Sequence, residues 1–319
     1  MDGLRYPIKL AARESGLSEY VVRIWEQRYG AVEPDRTDTN RRLYTPEQVD
    51  RLRLLRELTR AGHPISRVAK LPTEELRELV LGAGADRTVP ALVSKETPGT
   101  AAMIDDCLAA IKSLNGPALE AALLRGETVL GGFGLLQRVV APLVQTIGDL
   151  WRQGELTAAR EHFATAALRV FLGNASRPFG SVGKGPVIVV GTPAGQVHEL
   201  GALLASATAA NLGWRIAYLG PSLPAAEIAG AAQEGCARAV ALSLVYPEDD
   251  PGLEFELKRL RKALPQNTAL LVGGRAAAAY SKAVKAVGAM LIKDLVQFGS
   301  VLEKLRKRAE NKDGSRGPG

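Results

Sequence analysis

The last third of the chain, roughly residues 185–310, alternates short apolar runs with helical segments, and this alternation limits the possible folds more than any other feature. The strand-like runs are Pro186–Gly191, Trp214–Leu219, Ala239–Val245 and Ala269–Val272. An Ala-rich helical segment is expected between successive strands. Apolar strands that alternate with helices predict a parallel sheet covered on both faces. We therefore predict a doubly wound, Rossmann-like α/β domain over residues 179–308 and a solvated, disordered tail over residues 309–319.

The rest of the chain forms two helical segments joined by a linker. Residues 1–81 are rich in Arg and Glu, whereas residues 100–178 are rich in Ala and Leu with apolar residues three and four positions apart. That spacing predicts helices, with breaks near Asn115-Gly116-Pro117 and Gly131-Gly132. Short helices joined in this way usually pack as a four-helix bundle. Residues 82–99 contain glycine and proline without a pattern, which predicts a linker.

Charge and composition limit the partners and the compartment. The net charge is +7, and residues 1–70 hold fourteen Lys/Arg against ten Asp/Glu, a surplus of four. A basic N-terminal segment is suited to nucleic acid. We find no run of about 18 uncharged apolar residues and no signal peptide, so no membrane span is expected. The two cysteines, Cys107 and Cys236, have no metal-binding spacing, and a cytoplasmic protein without a structural disulfide is expected.

Two predicted helices separated by a glycine open the chain. The pattern indicates helices over Ile8–Ser15 and from Glu19 to about Arg28, with a break at Gly16 and Ser18 as a cap. This is the plan of a helix-turn-helix, whose second helix enters the major groove of DNA. A solvated helical hairpin would show the same simple pattern. On the helix-turn-helix reading, the residues expected to contact DNA are Tyr20, Arg23, Arg41, Arg42 and Tyr44, the last three in or beside a basic loop suited to phosphate.

The residue types in this segment are more specific than the pattern of two helices around a glycine. The string Arg23-Ile24-Trp25-Glu26-Gln27-Arg28-Tyr29-Gly30, followed by Asn40-Arg41-Arg42-Leu43-Tyr44, resembles the MerR family over about residues 6–72. The resemblance implies an α-helical winged helix-turn-helix that binds near-palindromic promoter DNA as a dimer, with Trp25 and Tyr29 mostly in the core and wing support. Metal-sensing members carry cysteines after a long dimerisation helix, and their absence here disfavours metal sensing.

A histidine, His198, lies in the loop after the first strand predicted in the last third of the chain. Ligands of open α/β sheets bind at the carboxyl edge of the sheet, where such a loop lies. An imidazole there can coordinate a metal, although a lone loop histidine is more often a polar surface residue.

The wider pattern points to a cofactor. His198-x-x-Gly201, then Tyr218–Pro224, Ser243-Leu244 and Gly273-Gly274, looks like the cobalamin-binding domain over about residues 185–305. The resemblance implies that His198 is the lower ligand of cobalt. It also implies that Ser243, Gly273 and Gly274 line the slot for the displaced nucleotide tail, where only bare backbone can approach closely.

One position departs from that family's Asp-x-His-x-x-Gly motif. The aspartate is replaced by Gln196 in this chain. A carboxylate would orient the imidazole and raise its basicity, whereas glutamine adds no charge. We expect coordination through His198 to survive with weaker ligation.

The predicted bundle carries a second pattern. Trp151, nine intervening residues and then Glu161-His162 resembles the signature of B12-dependent light-sensing repressors of the CarH type. The resemblance implies that the bundle caps the upper face of the corrin, with Trp151 over the upper axial group and Glu161 and His162 beside it. Taken alone, Trp151 would more simply be an aromatic plug at a helix end. Those repressors carry a histidine directly after the tryptophan, and Arg152 stands here, so an altered light response is expected.

These resemblances together predict a B12-dependent transcriptional regulator, specifically a repressor, and not an enzyme. The expected partners are adenosylcobalamin, promoter DNA and further copies of the chain, as a dimer or tetramer, and the signal is either light or the level of cobalamin. One alternative is a corrinoid-dependent methyltransferase subunit, which the DNA-binding segment argues against. Another is a MerR-type regulator that uses a different tetrapyrrole or no cofactor, which the changes at Gln196 and Arg152 leave open.

Overall fold

The computed structural model divides into two compact units, Met1–Ala164 and Thr165–Gly319, each of which is described by itself. The first unit includes both the predicted DNA-binding segment and most of the predicted bundle. The residues that the structure describes are 4–17, 19–37, 40–60, 63, 65–85, 99–176 and 185–313.

The first unit opens with a helical head that carries a small antiparallel sheet. Its elements are β1 (Tyr6–Pro7), α1 (Ile8–Ser15), α2 (Glu19–Tyr29), β2 (Asp35–Arg36), β3 (Arg42–Tyr44), α3 (Pro46–Arg60), α4 (Ile65–Val68) and α5 (Thr73–Ala85). Gly16 ends α1 in the left-handed region with φ of 69°, which glycine adopts without steric cost. The strands are ordered β1-β3-β2, and the β2–β3 hairpin forms the predicted wing. The expected cap, Ser18, lies outside the described residues.

A reciprocal cap starts α3 at the predicted proline. The Gln48 N–H donates to Thr45 Oγ1 at 3.2 Å, and the Thr45 N–H donates to Gln48 Oε1 at 3.0 Å. Each side chain thus satisfies a backbone donor that the helix start leaves free. Pro46 occupies the first helical position, where its missing N–H costs nothing.

The helical bundle follows with α6 (Thr100–Lys112), α7 (Gly116–Leu135), a π-helical turn (Leu136–Val140), α8 (Ala141–Arg152) and α9 (Ala158–Ala175). Both predicted breaks are confirmed. Asn115 caps α7 by accepting from the Ala118 N–H at 3.0 Å, and Gly131 interrupts the same helix with φ of 70°. The stretch Gly116–Arg152 is long and apolar enough to pass as a membrane span, but half of its most apolar window is buried, as in the core helix of a folded bundle.

The second unit contains the predicted doubly wound parallel sheet. Its elements are β4 (Val187–Pro193), α10 (Leu200–Asn211), β5 (Arg215–Leu223), α11 (Ala225–Glu234), β6 (Ala239–Ser243), α12 (Leu253–Ala263), β7 (Ala269–Gly273), a short 3₁₀ turn (Arg275–Ala278), α13 (Ser281–Ala286), β8 (Met290–Leu291) and α14 (Leu295–Asp313). The strand order is β5-β4-β6-β7-β8, and all pairs are parallel. One buried cluster joins the sheet to α11, α12 and α13, and a second joins it to α10 and α14. The strand order therefore reverses at β4, because β5 lies on one side of it and β6 on the other. The carboxyl ends of β4 and β6 form the crevice where such sheets bind ligands.

Several predicted boundaries are wrong. The helix α5 continues to Ala85, into the predicted linker, and α14 continues to Asp313, into the predicted disordered tail. The strand β8 was not predicted, because two residues are too few to show a period. The helix α12 is not Ala-rich, since its outer face carries Glu, Lys and Arg while only its three leucines are buried.

Candidate functional site

The recognition helix α2 presents a charged outer face. The side chain of Arg23 is half exposed and pairs with Glu19 across 3.2 Å, one helical turn away. Trp25 is fully buried in the core of the head, and Tyr29 is partly buried against it, as expected for core and wing support. The side chain of Tyr20 lies outside the described residues. Arg23 therefore remains a candidate for contact with DNA.

Two of the residues predicted to contact DNA, Arg42 and Tyr44, instead make their contacts inside the head, so this expectation from the sequence is wrong for them. Tyr44 is fully buried, and its hydroxyl donates to Glu26 Oε2 at 3.2 Å. Arg42 donates to the same oxygen at 2.6 Å, and its side chain is only 17% exposed. Burial together with the nearby Glu26 carboxylate raises the pKa of Tyr44, and the hydrogen bond to Glu26 raises the pKa of Arg42. Both residues support the wing and are poorly placed to reach a phosphate.

The exposed cations of the wing are Arg36 and Arg41. Arg36 donates to Asn40 Oδ1 at 2.7 Å, and Asn40 adopts a left-handed φ of 59° at the turn. Arg41 is exposed at the start of β3. Glu26, the acid that organises the wing, was missed as a functional residue, although an acid between the arginines of α2 and those of the wing was a signal for a buried ion pair.

The head is packed on the bundle within the first unit. Trp25 Nε1 donates to the backbone carbonyl of Thr128 on α7 at 2.9 Å. At the break in α7, a Cβ on Gly131 would lie 2.9 Å from Thr59 Oγ1 on α3, so a larger residue would not fit there. The DNA-binding segment and the bundle thus share an interface.

The bundle presents the second sequence signature at the junction of α8 and α9. The Trp151 side chain at the end of α8 is 49% exposed, so it is not a buried plug. In the first turn of α9, Glu161 Oε2 lies 2.6 Å from His162 Nδ1, and the His162 side chain is 80% exposed. Arg152 forms an ion pair with Asp149 one turn back along α8. The indole of Trp151 and the imidazole of His162 are therefore exposed to a ligand, whereas the guanidinium of Arg152 is engaged by Asp149.

His198 stands at the carboxyl edge of the sheet in the second unit, in the connection from β4 to α10. Its side chain is exposed, and no hydrogen bond to its ring is found among the described residues. The exposed ring of Tyr246, from the loop after β6, meets it edge to face with centroids 6.3 Å apart. The neighbouring Val197 is also exposed. The imidazole is therefore free to bind a ligand and lies beside apolar surface.

Gln196 does not orient this histidine through its side chain. Gln196 is buried, and its Oε1 accepts from the N–H groups of Val245 at 2.9 Å and Tyr246 at 3.1 Å. Its Nε2 donates to the Pro247 carbonyl at 3.4 Å. The amide that replaces the expected carboxylate is thus committed to the loop after β6.

The carboxylate next to His198 is engaged elsewhere as well. Glu199 accepts a hydrogen bond of 2.5 Å from the hydroxyl of Tyr218 on β5, and it pairs with Arg169 on α9 at 2.5 Å. Burial raises the pKa of Tyr218, and the hydrogen bond to Glu199 raises it further. Glu199, which was missed from sequence, fixes the backbone just after His198.

A buried polar atom marks the adjacent crevice. Ser243, the last residue of β6, is 5% exposed, and its Oγ has no hydrogen-bond partner among the described residues. Gly201 lies directly against it, since a Cβ there would collide with the hydroxyl. Gly273 is the neighbour of Ser243 across the β6–β7 pair, and Gly274 has φ of 97°, where a Cβ would collide with the backbone of Leu244. The fold therefore brings together His198, Gly201, Ser243, Gly273 and Gly274 at one edge of the sheet.

The described residues contain no cluster of three or more His, Cys, Asp or Glu side chains able to hold a metal ion by themselves. Cys107 is buried, Cys236 is exposed, and both are free thiols. Burial raises the pKa of Cys107 to about 11, which keeps it protonated and inert. A single imidazole at the sheet edge is suited to a metal that arrives with its own ligands.

Family profiles match three segments of the chain. Residues 6–74 match the MerR HTH family regulatory proteins. Residues 103–174 and residues 186–294 each match a B12 binding domain. The matched segments coincide with the head, the bundle and the parallel sheet.

Two relatives extend the similarity over most of the chain. The HTH-type transcriptional repressor CarH of Myxococcus xanthus is 32% identical over 274 residues, which cover 85% of this chain and 89% of the relative. The HTH-type transcriptional repressor CarA of the same organism is 27% identical over 309 residues, which cover 96% and 98%.

Among solved structures the likenesses are remote. A cobalamin-binding protein from Desulfitobacterium hafniense DCB-2 matches with a TM-score of 0.36 and 17% identity, covering 64% of this chain and 98% of that one. The methanol:cobalamin methyltransferase complex MtaBC from Methanosarcina barkeri matches with a TM-score of 0.36 and 16% identity, covering 72% and 92%.

Proposed function

Because the chain belongs to the family of HTH-type transcriptional repressors that join a MerR head to B12 binding domains, we propose that it represses transcription under the control of bound cobalamin. The head would hold promoter DNA, and the carboxyl edge of the parallel sheet would hold the cofactor. The match to CarA covers 96% of the chain and so includes the head as well as the B12 binding segments, which favours a regulator over an enzyme subunit. A cytoplasmic location follows from this role.

The observation that carries the cofactor assignment is the buried, unpartnered Ser243 Oγ against Gly201. Buried hydroxyls normally have a partner. Among the described residues, a buried side-chain atom also lacks one in Ser206, Thr208, Trp214 and Arg306. Ser243, however, ends β6 at the carboxyl edge of the sheet, where a polar atom of a ligand can supply the partner. Gly201, Gly273 and Gly274 keep side chains away from this hydroxyl and from the strand ends beside it. The residues present therefore fit a group that inserts a polar tail beside an exposed histidine.

When bound, cobalamin would supply a cobalt centre able to take a nitrogen ligand from the protein and to hold an exchangeable group. His198 would provide the lower nitrogen, and Ser243 would hydrogen-bond the inserted tail between the three glycines. The exposed ring of Tyr246 would lie beside the ligating imidazole.

We assign Trp151, Glu161 and His162 to the upper group of the cofactor, with the adenosyl form as the expected one. The half-exposed indole and the exposed imidazole are available for that contact. Arg152 carries a permanent positive charge and has no lone pair to offer a metal, so it would not serve as an upper ligand. The signal would be light with an altered response, or the level of cobalamin.

We also propose that the repressor assembles with itself when the cofactor binds. Two linked heads bind a near-palindromic site more tightly, because linkage raises the effective concentration of the second head. The last helix of the head, α5, spans 13 described residues, and we expect the C-terminal half of the chain to supply the contact between copies.

The test combines spectroscopy, assembly and DNA binding on the full chain. Purified protein is titrated with adenosylcobalamin in the dark, and the absorption spectrum, the molecular mass and the retardation of a promoter fragment are recorded with and without the cofactor. Histidine-ligated cobalt, a larger mass and tighter DNA binding in the loaded protein would support the proposal. A parent protein that binds no cobalamin, or whose DNA affinity and mass ignore it, would refute it.

A further inference from the structure

The protein needs some means of orienting His198, because a ligand imidazole is usually held by a partner on its second side. The residue expected to do this, Gln196, makes its three hydrogen bonds to Val245, Tyr246 and Pro247 instead. Glu199 is also engaged, by Tyr218 and Arg169. Within the described residues, neither nearby polar side chain is thus left to hold the imidazole.

The loop after β6 is held on both sides by buried side chains. Gln196 binds its first residues, as described above. Tyr280, which is 9% exposed, donates its hydroxyl hydrogen to the Pro247 carbonyl at 2.9 Å and accepts from the Asp250 N–H at 2.7 Å. Both clamps meet at the Pro247 carbonyl, one residue after Tyr246. The backbone that carries Tyr246 is therefore fixed although its ring is exposed.

The ring of Tyr246 meets the imidazole of His198 in a T-shaped arrangement, with an interplanar angle of 80° and centroids 6.3 Å apart. Edge-to-face aromatic pairs are attractive and directional. Tyr246 is 66% exposed and takes no part in the buried core, so the core does not explain a large aromatic residue there. The contact can fix the plane of the imidazole without adding charge to it.

We infer that Tyr246 is a positioning residue for His198, and that Gln196 acts on the histidine through the loop that carries Tyr246. This inference rests on the proposed function, in which His198 is the cobalt ligand. Packing would replace the carboxylate as the orienting force in this chain. Orientation would then be kept, while the basicity that a carboxylate adds would be lost.

The first experiment measures the aromatic contact in the cofactor-free protein. Proton–carbon spectra of histidine-labelled protein contain the ring signals of three histidines, and His198→Ala identifies those of His198. The parent is expected to show a nuclear Overhauser effect between the rings of His198 and Tyr246. Tyr246→Ala should shift the His198 ring signals. The matched control is Phe255→Ala, which removes an aromatic of similar exposure (63%) from α12, and it should leave those signals in place.

The second experiment titrates the same variants with adenosylcobalamin. Tyr246→Ala should weaken binding by about 3- to 10-fold, the size of an aromatic pair contact, whereas Tyr246→Phe should bind like the parent. Gln196→Ala should reduce both the Overhauser effect and the affinity. Tyr280→Phe, which loosens the loop after β6 from its other side, should also reduce the Overhauser effect and the affinity. If Gln196→Ala does not fold, Tyr280→Phe alone tests whether the clamped loop positions Tyr246.

The outcomes separate this inference from the function on which it rests. If His198→Ala binds cobalamin as the parent does, the proposed function fails. If His198→Ala loses binding but Tyr246→Ala keeps the parent's ring signals or affinity, only the positioning role is wrong. If Gln196→Ala and Tyr280→Phe leave the ring contact intact, Tyr246 does not depend on the clamped loop and the role of Gln196 is wrong.

Discussion

The wing of the head and the carboxyl edge of the sheet both carry residues that sequence patterns assign to a ligand, and the fold uses them in opposite ways. In the wing, Arg42 and Tyr44 are hydrogen-bonded to Glu26 inside the head. At the sheet edge, the His198 ring has no hydrogen bond among the described residues and Ser243 Oγ is buried without a partner. Buried polar atoms almost always have a hydrogen-bond partner. A motif residue whose hydrogen bonds are made within the fold therefore supports the structure around a site. A motif residue at the sheet edge that lacks such a partner indicates where a ligand binds.

The largest expected effect tests whether the cations that remain exposed on the head are enough to hold DNA. If each dimer neutralises about six phosphates, affinity for promoter DNA should fall roughly a thousandfold between about 50 and 200 mM salt, because released counterions drive the binding. Fluorescence anisotropy with a labelled promoter fragment measures this slope. A flat response to salt would show that the basic face of the head does not contact the DNA backbone.

The next largest effect is expected at the carboxyl edge of the sheet, where the His198 ring has no hydrogen bond among the described residues. His198→Ala should weaken cobalamin binding by more than the roughly 10- to 100-fold that is lost when a side chain hydrogen-bonded to a metal ligand is removed, because here the metal ligand itself is removed. Absorption titration measures the affinity and shows whether a histidine still coordinates cobalt. His63→Ala, which changes another exposed histidine in the head, serves as the control and should bind like the parent. Equal affinity in His198→Ala would mean that another group holds the metal.

Two adjacent arginines sharpen the comparison within the wing. Arg42→Ala removes one partner of a mostly buried ion pair with Glu26 and should lower the free energy of unfolding by about 1–3 kcal/mol. Arg41→Ala alters an exposed side chain and should leave stability unchanged while it reduces the salt slope of DNA binding by about one phosphate contact. Thermal melts and binding isotherms of both variants check this. Equal melting temperatures would remove the distinction between support and contact.

The sequence predicted the architecture because the relevant signals are local. Alternating apolar runs indicated four of the five strands of the parallel sheet, and the glycine and asparagine breaks in the bundle lie where expected. The two residues of β8 could not be recognised, because they pair with β7 only in the folded sheet. The extension of α5 to Ala85 opposed local preference, since Gly82 and Gly84 are poor helix formers.

The parts of the sites that could not be predicted depend on partners distant in sequence. Arg42 meets Glu26 from 16 positions away, and Gln196 meets Val245 from 49 positions away. Nothing in the local pattern around Gln196 indicates that its amide belongs to the loop after β6. Residue identity predicted which positions matter, and tertiary contacts decided whether each one faces the ligand or the fold.

The smallest expected effect separates stability from binding at the sheet edge. Ser243→Ala deletes a buried hydroxyl that has no hydrogen bond to lose, so the cofactor-free protein should be as stable as the parent or more stable by about 1 kcal/mol. Its affinity for cobalamin should nevertheless fall, because the deleted hydroxyl is the one proposed to meet the cofactor. Chemical denaturation and absorption titration give the two quantities.

The matched control for Ser243→Ala is Thr268→Val, which deletes another buried hydroxyl of the same unit. Thr268 Oγ1 donates to the Ala237 carbonyl at 3.0 Å, so its loss should destabilise the protein by about 1 kcal/mol and leave cobalamin affinity unchanged. Ser243→Ala should therefore lower cobalamin affinity without lowering stability, whereas Thr268→Val should lower stability without lowering cobalamin affinity. If Ser243→Ala instead destabilises the cofactor-free protein as Thr268→Val does, its hydroxyl serves the fold, and the contrast between the wing and the sheet edge fails at the residue that carries it.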